Sequence, residues 1–331
     1  MGSRIPQKKI LLIDVDSKYP NIALMKVSGF YKAQGYIVDL IRLGYDFFNQ
    51  RKKQKKHTTI NARWKYEKVF ISIIFTSNRY KVFILNCWEI EYGGTGYSIE
   101  KKLSEEIDKW QEDYSIYPGN NVSYGFITRG CIRNCEFCFV PRKEGQIYKY
   151  RNISEIFRED LKHEKVRFYD NNILAFDGWK EILQELINKK IPCAFSQGLD
   201  IRLLTEEKAE MIRKLRYINE YYFAFDDIKI MPVMKEKIKL IEKYFYPWTC
   251  RFYVYCHPSM DFEEDVMKRI KFLRDHKCLA YLMRDIACLE DKEKDLYSLL
   301  GSWCYQPKIF ISCDFQQFLS KRLNLKSRLS L

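Results

Sequence analysis

The sequence predicts an α/β protein in which a doubly wound, mostly parallel sheet precedes a partial parallel barrel. Short apolar, β-branched runs alternate with segments of helical spacing along most of the chain, which is typical of parallel β/α units. Apolar residues make up 47% of the 331 residues and aromatic residues 16%. That content allows packed cores and excludes a wholly disordered chain. At roughly 150 residues per domain, we expect about two domains.

The first hundred residues contain the elements of the parallel sheet. Apolar residues recur at helical spacing between Ile22 and Ala33, and Gly35 is typical of a residue just beyond a helix end. The run Val69–Phe75 is apolar enough for a strand buried on both faces. The other strands predicted here are Lys9–Val15, Tyr36–Leu43 and, as the fourth, Val82–Leu85 or the stretch just after it. The unit is closed by Gly93, Gly94 and Gly96.

A turn-rich junction between Trp110 and Asn121 separates this unit from six further β/α repeats. The predicted strands are Val122–Thr128, Val166–Tyr169, Cys193–Ser196, Tyr221–Phe225, Arg251–Cys256 and Leu279–Met283. The predicted helices are Ser154–Glu164, Lys180–Lys189, Thr205–Arg216, Met234–Phe245 and Phe262–His276. We therefore expect a parallel-sheet domain over 1–117, a partial (β/α)6 barrel over 118–296, and a basic extension over 297–331 without a clear strand or helix period.

Charge and cysteine content limit the class of protein. The formal net charge is +14, and eleven cysteines are an odd number. Their share of the chain is well below the roughly 8–10% of a disulfide scaffold, so we expect reduced thiols. No apolar run approaches the roughly 20 residues of a membrane span, and the N-terminal MGSRIPQKK contains no apolar signal segment. These features predict a cytoplasmic protein without a membrane partner.

Three cysteines form a compact motif in RGCIRNCEFCFVP. Cys131, Cys135 and Cys138 have the spacing C-x3-C-x2-C, and three thiolates on one loop can hold three irons of a [4Fe–4S] cluster. The fourth iron is then open to a substrate or cofactor. The loop follows the first predicted barrel strand, at the end where β/α barrels carry their sites. A zinc site would need a fourth ligand, and a disulfide would leave one thiol over.

The motif and its surroundings resemble the radical S-adenosylmethionine (SAM) enzymes. Their signature is C-x3-C-x2-C with an aromatic residue before the last cysteine, and this chain has Phe137 there. The segments GFITRGCIRNCEFCFVPRKEG, KILLIDVDSKYPN and GGTGY are similar to the subgroup that has an N-terminal cobalamin-binding-type, Rossmann-like domain before the radical SAM barrel. The resemblance covers roughly residues 8–290.

This resemblance implies a [4Fe–4S] cluster held by the three cysteines, with SAM bound at the open iron through its amino and carboxylate groups. One electron cleaves the S–C5′ bond of SAM, and the 5′-deoxyadenosyl radical abstracts hydrogen from a substrate. It implies a flavodoxin- or ferredoxin-type electron donor as a partner, and a position near the adenine for Phe137. No catalytic residue beyond the cluster is assigned.

The loop after the second barrel strand contacts the SAM amino group in enzymes of this kind. Here it reads YDNN, and the oxygens of Asp170 and Asn171 can accept hydrogen bonds from an ammonium. An Asx turn that caps the next helix is the alternative for this loop.

The segment SQGLDIRLL follows the third barrel strand and is similar to the subgroup's motif there. Gln197 or Asp200 is implied to hold ribose hydroxyls or substrate, and Arg202 can pair with a carboxylate bidentately. A structural Asp–Arg pair is the alternative. Asp226 ends the strand YYFAFDD and is expected at the same rim.

The front domain lacks the ligands of two related enzyme classes. A cobalamin loop of the type D-x-H-x-x-G supplies a cobalt-binding histidine, but residues 14–21 read DVDSKYPN and the nearest histidine is His57. We therefore do not expect cobalamin. A second cluster in this domain would need three cysteines, and it has only Cys87. Elsewhere, spacing permits a second cluster from Cys250, Cys256, Cys304 and Cys313, although such cysteines are commonly buried small apolar residues.

Two substrate classes remain open. Arg51–Lys56 reads RKKQKK, a loop that can attract phosphates and guide a nucleotide or nucleic acid, although Lys-rich loops are often merely solvated. The alternative is a peptide or small metabolite, with the front domain as a docking scaffold. A non-enzymatic iron–sulfur sensor or interaction protein is a third reading.

Overall fold

The protein is described by a computed structural model that covers residues 8–44 and 57–329, with side chains up to Arg322. The chain folds as two compact units. The first contains the described parts of residues 1–124, with 135–143 and 160–163; the second contains 125–134, 144–159 and the chain from 164 onwards. Both are built from parallel strands and helices, so the predicted α/β class is confirmed.

The first unit is organised around a four-stranded parallel sheet in the order β2-β1-β4-β6. The strands of this unit are β1 (Lys9–Asp14), β2 (Ile37–Arg42), β3 (Thr58–Asn61), β4 (Lys68–Ser72), β5 (Val82–Leu85) and β6 (Glu89–Gly93). Its helices are α1 (Ile22–Ala33), α2 (Glu105–Asp108) and all but the last residue of α3 (Val140–Glu144). The side chain of Asn21 caps α1 by accepting the N–H of Leu24, and Gly35 follows the helix at φ +84°, as predicted.

The two faces of this sheet are covered differently. Ile10, Leu12 and Phe70 pack against α1 on one face. On the other face, Leu11 and Ile13 pack with the inward residues of β3 and β5, which pair as a two-stranded parallel ribbon. In the described part of this unit, a ribbon therefore takes the place of a helix on the second face of the predicted doubly wound sheet.

The second unit contains the barrel-like strands. The last residue of β7 (Val122–Gly125) belongs to this unit. β8 (Thr128–Arg129) and β9 (Tyr148–Lys149) form a short antiparallel pair. The remaining strands are β10 (Lys165–Phe168), β11 (Cys193–Phe195), β12 (Leu199–Asp200), β13 (Tyr221–Ala224), β14 (Cys250–Cys256) and β15 (Leu279–Arg284). They form sheets in the orders β11-β10-β7 and β12-β13-β14-β15. This arrangement is compatible with the predicted partial barrel.

Helices cover the apolar face of these strands and bury one large core. They are α4 (Ile153–Ile156), α5 (Trp179–Asn188), α6 (Glu206–Lys214), α7 (Met231–Tyr244), α8 (Lys268–Asp275), α9 (Ala287–Glu290), α10 (Lys294–Cys304), α11 (Pro307–Ser312) and α12 (Phe315–Leu329). A π-helical stretch, Phe262–Met267, leads into α8. No helix in the described ranges is long and apolar enough to cross a membrane.

Two predicted segments differ from the structure. The helix expected over Ser154–Glu164 is reduced to α4 and a single 3-10 turn, because the backbone at Phe157 is extended (φ −80°, ψ 110°). The extension predicted to lack a period contains α10, α11 and α12 instead. Trp303 packs against Phe310 and Phe315 with ring centroids 4.7 and 5.4 Å away, so tertiary contacts between these helices stabilise them.

Arg269 fixes the carboxyl ends of two central strands. Its guanidinium is fully buried and donates to the carbonyl oxygens of Phe225 and Tyr255, each at 3.0 Å. It also forms an ion pair with Asp265 at 2.6 Å, one turn away. Each carbonyl lies within one residue of the end of β13 or β14, so the arginine holds both strand ends in place.

Candidate functional site

A glycine turn positions Cys131 in the second unit. Gly130 has φ +81°, and a Cβ on it would lie 2.1 Å from the carbonyl oxygen of Gln146, so no other residue fits without a shift of the backbone. The N–H of Gly130 donates to Glu144 Oε2 at 3.0 Å, and the N–H of Cys131 donates to the carbonyl of Gly145 at 3.1 Å. The backbone on both sides of this turn is therefore held before any ligand binds.

The sulfur of Cys131 accepts two hydrogen bonds. The backbone N–H of Arg133 lies 3.4 Å from Sγ, and the side-chain amide of Asn172 lies 3.6 Å from it. Asn172 is only 2% exposed, and its Oδ1 contacts no hydrogen-bond donor. Donors around a sulfur stabilise a thiolate, whereas a buried unpaired oxygen costs about 1–3 kcal/mol until a donor reaches it.

Asp170 and Asn171 are engaged within the protein. Asp170 accepts the N–H of Ile127 at 3.1 Å, and both the N–H and the hydroxyl of Thr128, at 2.5 and 2.7 Å. Burial raises the pKa of Asp170 to about 6, although the hydrogen bonds from Thr128 act in the opposite direction. Asn171 donates its amide to Glu144 Oε2 at 2.7 Å. In the described structure these two side chains organise the loop that leads to Cys131.

Asp200 lies between two arginines. Arg202 contacts its two oxygens at 2.6 and 3.0 Å, and Arg133 reaches Oδ2 at 2.9 Å. Burial alone would raise the pKa of Asp200, but the hydrogen bonds and charges of Arg202 and Arg133 outweigh it and lower that pKa. The Asn172 amide is 3.5 Å from Asp200 Oδ2. The structure therefore brings the candidates Asp200 and Arg202 next to Asn172 and, through it, to Cys131.

The remaining candidates of the second unit are Gln197 and Asp226. Gln197 is exposed after β11, and the turn continues through Gly198 at φ +91°. Asp226 is partly buried after β13 and accepts the N–H of Tyr255 at 2.9 Å. Burial raises the pKa of Asp226 to about 6, against the opposing effects of that N–H and of Arg269.

Cys135 and Cys138 belong to the first unit. The N–H of Cys138 donates to the carbonyl of Cys135 at 3.0 Å, which closes a tight turn between them. Phe137 inside this turn and Phe139 after it are both exposed. An exposed apolar ring beside the cysteines is what the expected contact between Phe137 and adenine requires.

Exposure separates the motif cysteines from most of the others. Cys131, Cys135 and Cys138 are partly exposed. Seven other cysteines are buried, namely Cys193, Cys250, Cys256, Cys278, Cys288, Cys304 and Cys313. Burial raises the pKa of Cys193 and Cys250 to about 12, so these thiols are poor metal ligands.

No group of three or more His, Cys, Asp or Glu in the described ranges is arranged to hold a metal ion. That finding covers the second cluster that spacing permits for Cys250, Cys256, Cys304 and Cys313, as well as the motif. Metal sites commonly form their final ligand geometry only when the metal binds. The chemistry of the motif thiols nevertheless fits an iron–sulfur cluster. The three thiols are partly exposed, and the sulfur of Cys131 accepts hydrogen bonds that would stabilise a thiolate.

The sequence did not single out Arg133, Glu144 or Asn172, which the structure places around the candidate residues. Glu144 accepts hydrogen bonds from Arg129, Gly130 and Asn171. The sequence signal for Asn172 is its position in the YDNN loop beside Asp170 and Asn171. Arg51–Lys56, the predicted phosphate-attracting loop, lies outside the described residues.

The loop compared with a cobalamin-binding loop has an internal role in the first unit. Asp16 is fully buried and accepts the N–H groups of Ile74 and Phe75 at 2.8 and 3.0 Å, and the amide of Asn78 at 3.0 Å. This carboxylate occupies the third position of DVDSKYPN, where a cobalamin loop has histidine. It organises the segment after β4.

The chain is similar to a known enzyme over part of its length. No protein-family model matches it. It is 25% identical over 150 residues to a cytidylyl-2-hydroxyethylphosphonate methyltransferase from Streptomyces wedmorensis. The alignment covers 43% of this chain and 27% of the methyltransferase, so the chain spans about a quarter of its relative's length. This distant similarity supports an enzymatic function in general.

Proposed function

We propose that this protein is a radical SAM enzyme whose [4Fe–4S] cluster is held by Cys131, Cys135 and Cys138. When bound, the cluster and SAM supply an electron and a 5′-deoxyadenosyl radical that abstracts hydrogen from the substrate. The observation that carries the proposal is the C-x3-C-x2-C spacing on accessible thiols, with the sulfur of Cys131 already hydrogen bonded to Arg133 and Asn172.

Asn172 is the residue best suited to hold the SAM amino group. Its buried Oδ1 has no donor, and an ammonium is a donor that satisfies it. Asp170 and Asn171 already form hydrogen bonds with Ile127 and Glu144, so we assign them to positioning this loop.

Asp200 and Arg202 offer the next polar groups along the same rim. Asp200 is ionised, since Arg202 and Arg133 lower its pKa, and both of its oxygens accept hydrogen bonds from these arginines, so we assign it to positioning Arg202. Gln197 is exposed beside this pair, and Asp226 follows the neighbouring strand. We infer that Arg202, Gln197 and Asp226 bind ribose or substrate, while Phe137 contacts the adenine.

The methyltransferase similarity also bears on the substrate. SAM is a common methyl donor, so a methyltransferase relative agrees with SAM as cofactor. The relative's name gives it a cytidylyl-linked substrate, which favours a nucleotide over a peptide among the substrate classes for this chain. The electron donor is inferred to be a flavodoxin or ferredoxin.

Iron binding tests the proposal through the cysteines themselves. Anaerobically reconstituted protein is expected to show the absorption and the reduced-state electron paramagnetic resonance spectrum of one [4Fe–4S] cluster, and SAM is expected to shift that spectrum. Cys135→Ala is expected to lose the cluster. Cys87→Ala is the matched control, because Cys87 is also partly exposed but lies outside the motif.

A cluster that survives in Cys135→Ala, or that disappears equally in Cys87→Ala, contradicts the assignment of ligands. A full cluster whose spectrum does not respond to SAM contradicts the cofactor while leaving the metal site intact.

A further inference from the structure

The outer face of the β3–β5 ribbon carries large apolar side chains. Residues alternate along β5, so Val82 and Ile84 face the core while Phe83 and Leu85 are exposed. Trp64 and Trp88 follow the two strands and are 54% and 84% exposed. A cluster of exposed large apolar residues usually marks a binding surface. We call Trp64, Phe83, Leu85 and Trp88 the aromatic platform.

The two tryptophans are held in place by the turns that present them. Their ring centroids are 4.5 Å apart. The backbone N–H of Trp64 donates to the backbone carbonyl of Asn86 at 2.8 Å, and the side-chain amide of Asn86 donates to Asn61 Oδ1 at the end of β3. Trp64 and Asn86 both have left-handed backbones, at φ 56° and 58°. Such conformations persist only where neighbouring contacts enforce them, so the rings are presented on a preorganised turn.

The charge around the platform is positive. Arg63 and Lys65 flank Trp64, are exposed, and form no ion pair with any residue that the structure describes. Of the nearby acids, Glu67 pairs with Lys8 at 3.0 Å, whereas Glu89, next to Trp88, and Glu91 share Lys68 at 2.5 and 3.1 Å. Together with Arg63 and Lys65, these groups carry one net positive charge. A partner that covers this face must therefore tolerate or seek cations.

We propose that the aromatic platform binds single-stranded nucleic acid, with bases stacked on Trp88 and Trp64 and phosphates near Arg63 and Lys65. Exposed rings beside uncompensated cations match unstacked bases on a phosphate backbone. A duplex hides the faces of its bases and leaves the rings without a partner. This surface lies within the first unit, and its function is separate from the cluster chemistry proposed above.

Fluorescence anisotropy of a labelled short single-stranded RNA, titrated with the 331-residue protein, tests the proposal. Trp88→Ala is expected to weaken binding about 5- to 150-fold, as stacking losses of about 1–3 kcal/mol imply. Trp88→Phe is expected to keep most of the affinity. Trp248→Ala is the matched control in the second unit, since Trp248 is 53% exposed and stacks on Tyr246; it is expected to bind like the wild type.

An abasic strand of the same length separates stacking from charge. It carries the same phosphates without bases, so we expect it to bind much more weakly than the RNA and to be insensitive to Trp88→Ala. Equal affinity for the two strands, or wild-type affinity in Trp88→Ala, overturns the proposal. Absence of RNA binding together with self-association that Trp88→Ala abolishes in sedimentation also overturns it, and assigns the face to contact between copies of the chain.

Discussion

Asn172 donates its side-chain amide to the sulfur of Cys131 across 3.6 Å, while its own Oδ1 is buried without a donor. The amide nitrogen therefore donates to a motif cysteine, and the amide oxygen can accept a hydrogen bond from a bound ligand. An ammonium at this position would complete the hydrogen bonding. This relationship connects the loop after β10 to the turn that carries the cysteine motif.

Replacing Asn172 by alanine is expected to weaken SAM binding about 5- to 150-fold, because one hydrogen bond to a charged group is lost at a buried position. Equilibrium dialysis of the reconstituted protein against SAM measures this effect, with iron content determined on the same samples. Asn171→Ala is the matched comparison, since its amide contacts Glu144. A larger loss of SAM affinity in Asn171→Ala than in Asn172→Ala would contradict the assignment.

Gly130→Ala is expected to disturb the position of Cys131. The left-handed φ costs about 1–2 kcal/mol for a residue with a Cβ, and the new Cβ would also lie against the carbonyl of Gln146. Gly35→Ala provides the comparison, because Gly35 has a similar φ of +84° with nothing within 4 Å. We expect urea unfolding to show the larger destabilisation for Gly130→Ala and iron analysis to show poor reconstitution for that variant alone. Equal behaviour of the two would count against this role of Gly130.

The pKa of Asp226 predicts a pH dependence of stability. Its folded-state pKa of about 6 lies above the ordinary 3.8, so its contribution to stability is fully present below pH 3.8 and is lost as the pH rises to about 6. The loss is at most about 3 kcal/mol. Asp226→Asn keeps an oxygen for the N–H of Tyr255 and removes the titration.

Urea unfolding at several pH values between about 4 and 7 measures that difference. The free energy of unfolding of Asp226→Asn is expected to fall less than that of the wild type as the pH rises through this window. Identical profiles would mean that Asp226 ionises in the folded protein as readily as in the unfolded chain.

Arg51–Lys56 provides a separate test of the nucleic-acid hypothesis drawn from the sequence. Replacing its five cations by glutamine is expected to reduce the salt dependence of RNA binding. The slope of the logarithm of the binding constant against the logarithm of the salt concentration should fall by at most about 0.7 for each cation that contacts phosphate. Filter-binding titrations at several salt concentrations measure the slope. An unchanged slope would remove this loop from the interaction.

The sequence predicted the strands of both units well because their signals are local. Val69–Phe75 and Arg251–Cys256 are apolar or aromatic over most of their length. A strand that is buried on both faces needs such a continuous apolar run, which can be recognised in the sequence. The strand β3 was missed because TTIN is short and half polar. It exists through its pairing with β5, more than twenty residues later.

The candidate site was predicted in part for similar reasons. The three cysteines are recognisable because their spacing is itself the chemical signal. The engagement of Asp170 could not be predicted, because its partners Ile127 and Thr128 are more than forty residues earlier in the chain. Which of three consecutive polar residues has a free oxygen depends on the three-dimensional packing of the loop.

The central claim is tested most directly by product formation from SAM. Reconstituted, chemically reduced protein incubated anaerobically with SAM is expected to release 5′-deoxyadenosine and methionine in equal amounts, and Cys135→Ala is expected to release neither. If a protein with a complete [4Fe–4S] cluster and bound SAM forms no 5′-deoxyadenosine under these conditions, the account of this protein as a radical SAM enzyme is wrong.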